Sequence, residues 1–75
     1  MLVRLLIWNV AESQTTIDEL RESLPELKPP SRWIWNEVSE RFGVIAFGDE
    51  LPESVGWAQD LAGGEPDVYE EFDSA

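Results

Sequence analysis

The sequence predicts an α+β fold, β-α-β-β-α-β in order, built as a four-stranded antiparallel sheet with two helices on one of its faces. Three observations carry that prediction. Leu2 to Val10 is apolar on both alternate sets of positions; two stretches with helical spacing follow capping chemistry at Thr15-Thr16 and near Asp49-Glu50; and a block dense in aromatic and β-branched residues, Arg32 to Phe47, breaks once at Ser39-Glu40-Arg41.

The first strand places Val3, Leu5 and Ile7 on one face and Leu2, Leu6, Trp8 and Val10 on the other. A strand apolar on both faces belongs in the middle of a covered sheet. Thr15-Thr16 with Asp18 and Glu19 offers two overlapping capping boxes, and Ile17, Leu20 and Leu24 then share one helical face until Pro25 interrupts. In the hairpin, Trp33, Trp35 and Glu37 lie on one face and Ile34, Asn36 and Val38 on the other; Phe42, Val44 and Ala46 oppose Gly43, Ile45 and Phe47 on the returning strand. Asp49 or Glu50, near Pro52, supplies the start of the second helix, whose buried positions are Leu51, Val55, Ala58 and Leu61 and whose stop is Gly63-Gly64. Val68 and Phe72 could lie one helical turn apart after Pro66, but Val68, Glu70 and Phe72 also alternate, and a last strand is the reading adopted for residues 66–75 over a helix or a mobile acidic tail. The order is that of the split βαβ, or ferredoxin-like, arrangement. All 75 residues form one domain on this reading.

Charge is distributed unevenly. The five basic residues, Arg4, Arg21, Lys28, Arg32 and Arg41, all precede position 42, and the 34 residues after Arg41 hold nine of the sixteen carboxylates. A net charge of -11 opposes binding to nucleic-acid phosphates or anionic membrane surfaces and favours a basic protein partner. The opening run MLVRLLIWNV is too short for a membrane span and has no cleavage site of the secretory kind, so a cytoplasmic location is expected. Without Cys or His, disulfides, thiolate and imidazole metal sites and Ser-His-Asp or Cys-His catalysis are all excluded. Neither a metal nor a cofactor is expected. A chain this small then depends on aromatic packing or on association with another chain.

The helices can cover only one sheet face, yet three of the strands are apolar on both. A second sheet packed face to face, or a ligand on the open sheet, would cover the other. The stretch Ser31-Arg32-Trp33-Ile34-Trp35-Asn36-Glu37, then Gly43-Val44-Ile45-Ala46-Phe47 and a helix opening at Asp49-Glu50, resembles the central hairpin of the dimeric α+β barrel proteins, in particular their small monooxygenase-like group. The tail Asp67-Val68-Tyr69-Glu70-Glu71-Phe72-Asp73 is similar to that group's last strand. The resemblance covers about two thirds of the chain; the chain is shorter than is usual there and lacks the His often found in those pockets. It implies a homodimer formed through the sheet and, for an enzyme, cofactor-free oxygenation of a small molecule.

Three sets of residues are candidates for function. Trp8, Trp33, Trp35 and Asn36 could line a pocket for a flat small molecule, the indole N–H groups serving as polar handles. Glu37, in an aromatic setting beside Trp35, is the one candidate catalytic base; an ion pair with Arg32 or Arg41 is its structural alternative. Asp67, Glu70, Glu71 and Asp73 form an acidic interaction surface without the converging turn that a hard-cation site requires. The function expected is that of a small acidic binding or accessory protein, homodimeric through its sheet. Its alternatives are a cofactor-free oxygenase-like enzyme and an acidic nucleic-acid mimic that inhibits a basic protein.

Overall fold

Thr16 starts the first helix as the spacing predicts: its side chain accepts from the Glu19 backbone N–H at 3.2 Å, and the Glu19 carboxylate reaches back to the Thr16 N–H, so the second of the two possible capping boxes is the one used. The computed structural model describes residues 1–74. In chain order its elements are β1 (Leu2–Asn9), α1 (Ile17–Ser23), β2 (Arg32–Asn36), β3 (Arg41–Phe47), α2 (Ser54–Ala62) and β4 (Val68–Asp73). All strand pairs are antiparallel, in the spatial order β2-β3-β1-β4. β1, the strand apolar on both faces, is thus one of the two central strands.

Two boundaries differ from the sequence reading. β2 ends at Asn36 and β3 begins at Arg41, so the hairpin turn is Glu37 to Glu40. The Asn36 side-chain oxygen accepts from the backbone N–H groups of Val38 and Ser39, at 3.0 and 3.1 Å, and bends the chain before alternation could continue. Glu40 closes the turn with φ at 53°. The second helix begins at Ser54, after Glu53, without a side-chain cap. Asp49 lies five residues before Ser54, outside the first turn, and its backbone carbonyl accepts from Arg4 Nη2 at 3.0 Å. Gly63, at φ 88°, ends α2 as a left-handed cap and Gly64 N–H returns to the Gln59 carbonyl.

Leu6, Trp8 and Val10 from the first strand and its exit, Phe42 and Val44 from β3, Ile17 and Leu20 from α1, and Val55 and Ala58 from α2 form one buried cluster. Both helices therefore pack on the same sheet face. Each large apolar side chain there contributes about 1.5–3 kcal/mol. Trp8 stacks on Phe42 with ring centroids 5.4 Å apart, and Trp33 meets Trp57 edge to face at 5.5 Å. β4 lies at the sheet edge with all six residues exposed. It is tied in at both ends, Asp67 N–H donating to the Ile7 carbonyl and Ser74 N–H to the Met1 carbonyl, each at 2.8 Å. No helix of the described residues is long and apolar enough to cross a membrane.

Candidate functional site

Strand alternation divides the candidate residues between two faces. On the helix side, Trp8 is buried in the core and donates its indole N–H to the Gly64 carbonyl at 3.0 Å; Trp33, half-buried, donates to the Pro25 carbonyl at 2.8 Å. Each of these indoles joins the sheet to the loop leaving a helix. Trp35 is 44% exposed at the hairpin end, where the Arg21 guanidinium lies 4.9 Å from its ring centroid. Asn36 faces the other way, and its oxygen is engaged by the turn. The four candidates therefore do not converge on one pocket, although Trp35 and Asn36 both line a groove at the hairpin end.

Glu37 stands in the turn, exposed, and pairs with Arg21 at 2.9 Å. Its partner is neither of the two arginines nearest in sequence. Among the described residues no group of three carboxylates is placed to hold a metal ion.

The acidic set also splits. Asp67 accepts the Asn9 backbone N–H at 2.7 Å, fixing the entry to β4. Glu71, on the helix side, accepts from the Tyr69 hydroxyl at 2.9 Å and lies 3.7 Å from Arg4 Nε. The hydrogen bond to Glu71, followed by desolvation and by the Glu71 charge, raises the Tyr69 phenol above its ordinary value. Arg4 is largely buried, and its Nε and Nη1 find no hydrogen-bond partner. Glu70, by contrast, points to the face away from the helices.

That open face is the most extensive feature of the molecule not used by its own core. The register sets Arg32, Ile45, Leu5 and Glu70 in one row across all four strands, and Ile34, Gly43, Ile7 and Val68 in the next. Phe47, Val3 and Phe72 flank the first row, and Asn36, Arg41 and Asn9 follow the second. Val68 and Phe72 are 39% and 45% exposed, and the remaining apolar side chains are only partly buried. Gly43 is required at the centre, since a Cβ there would run into the Leu6 carbonyl oxygen and come within 2.7 Å of Ile7 Cδ1. A groove of about 230 Å3 opens toward the hairpin end, lined among others by Ile7, Ile34, Trp35, Asn36, Ser39 and Arg41.

The sequence showed that this face would need a cover and singled out two of its polar residues, Asn36 and Glu70, but none of its apolar ones. The signal was present in the alternate set Val3, Leu5 and Ile7, whose face could be matched to Ile34, Ile45 and Phe72 only once the register was known. Neither a family model nor a curated protein nor a solved structure matches the chain.

Proposed function

We propose that the protein is a small acidic binding or accessory protein of ferredoxin-like architecture that works as a homodimer, the open face of one sheet packed on that of the other. The observation that carries this reading is the asymmetry of cover: both helices pack on one face, while the other leaves three rows of apolar side chains in contact with water. Exposed apolar patches of this extent mark interaction surfaces. The order β2-β3-β1-β4, with a helix in each crossover, supports the ferredoxin-like arrangement, and face-to-face sheets agree with the resemblance to the dimeric α+β barrel proteins. A dimer of this kind hides the open face and leaves its helices and acidic strand edges outward. A basic protein partner is the class that such a surface would take.

Light scattering coupled to size-exclusion chromatography tests the reading. The wild-type protein should run as a dimer, and Phe72→Glu should run as a folded monomer. Phe72 is exposed at the sheet edge, so the monomer tolerates the change, whereas a dimer would bury an unpaired carboxylate at a cost of several kcal/mol. A wild-type monomer at every accessible concentration overturns the proposal.

A further inference from the structure

The geometry points to a specific register for that dimer: a two-fold axis running roughly parallel to the strands, with Arg32 of each protomer paired to Glu70 of its partner. This inference rests on the sheet-to-sheet reading. Its source is a charge pattern within one protomer. Arg32 and Glu70 occupy opposite ends of the same row, on the two edge strands, and both point to the open face. Neither forms an ion pair among the described residues, and of the two other sheet arginines Arg4 on β1 does whereas Arg41 on β3, in the outer row at the hairpin end, does not. Three strand spacings separate them, about 14 Å, too far for contact within one chain.

A two-fold axis along the strands between β1 and β3 reverses the strand order and leaves each row in place. It sets β2 against the partner's β4, so the row Arg32, Ile45, Leu5, Glu70 meets Glu70, Leu5, Ile45, Arg32. Opposite charges then meet at both ends, and apolar side chains meet between them. The neighbouring row follows suit, Ile34 meeting Val68. An axis across the strands does the reverse, since it sets β2 against β2 and β4 against β4 and brings each of Arg32 and Glu70 against its own copy or against an apolar row, with no counter-charge in either case. Unpaired charge in such an interface is strongly unfavourable. The third charge of the face, Arg41, meets the partner's Asn9 at the hairpin-end rim in this arrangement, so the face is complementary to itself along its central rows, which favours a second copy as its occupant.

The test is charge reversal followed by mixing. Arg32→Glu and Glu70→Arg should each weaken the dimer tenfold or more in sedimentation equilibrium, because each places two like-charged pairs in the interface. An equimolar mixture of the two variants should recover wild-type affinity as a heterodimer, in which both pairs are again opposite in sign. Both positions are exposed, and circular dichroism of each variant checks that it is folded. A wild-type dimer whose affinity neither reversal changes overturns the register while leaving the sheet-to-sheet dimer intact. Two weakened variants that do not rescue each other also overturn it. A wild-type chain that never dimerises overturns the reading beneath it.

Discussion

Tyr69 is the residue whose chemistry is most clearly altered by its neighbours. Its hydroxyl is held by Glu71, and losing the proton would set two negative charges side by side, so the folded-state pKa is raised above the ordinary value of about 10. The stability linked to this group is fully present below the unfolded pKa and is lost as pH rises through the higher folded one. Phenolate absorbance should therefore titrate later in the folded protein than in denaturant. Tyr69→Phe should remove that part of the alkaline loss of stability, and coincident titrations in the two states would refute the assignment. Glu71→Gln separates charge from hydrogen bonding, since it keeps an acceptor oxygen and should bring the Tyr69 titration earlier.

At the scale of elements, the hairpin depends on one side chain. Asn36→Ala leaves the Val38 and Ser39 N–H groups without their acceptor and should cost about 1 kcal/mol in chemical denaturation, while Asn36→Asp keeps the acceptor and should cost less. Equal losses for the two would show that the turn does not rely on that oxygen. The same residue explains why the sequence was legible in part. Helix α1 could be read from Thr16 and Glu19 because a capping box is a local pattern. β1 could be placed centrally because Val3, Leu5 and Ile7 need cover as much as Leu6 and Trp8 do. The hairpin turn could not be placed, because alternation continues through Glu37 and Val38 on paper and only the Asn36 side chain stops it. The pairing of Glu37 with Arg21 spans sixteen positions and depends on how α1 lies over the sheet. The charge pattern of the open face depends on register across three strand pairs, which no single stretch of sequence contains.

At the scale of the whole molecule, net charge opposes association. Two chains of -11 make a dimer of -22, and this repulsion acts over distances that salt screens, whereas the Arg32–Glu70 contacts are short and partly sheltered. The proposed dimer should therefore tighten as salt rises from a few millimolar to about 0.15 M, where the screening length is about 8 Å. Capture of a basic protein by its outer surface should weaken over the same range. Sedimentation equilibrium across a salt series checks the first trend and a binding titration the second; a dimer loosened by salt would mean that the charge pairs dominate over net repulsion.

The placement of the four indoles has a practical meaning for anyone who handles this protein. Trp8 and Trp33 lie on the helix side of the sheet, Trp57 rides on α2 against Trp33, and Trp35 sits beneath Arg21 at the end of the hairpin. Strand alternation puts no tryptophan in the rows of the open face, and Trp35 alone borders its groove at the hairpin end. Intrinsic emission is consequently a gauge of whether the helices are seated, and it is nearly blind to whether two sheets have met. Dilution through the dissociation point should leave the spectrum unchanged, so a flat fluorescence trace is no sign of a monomer, and association has to be followed by mass.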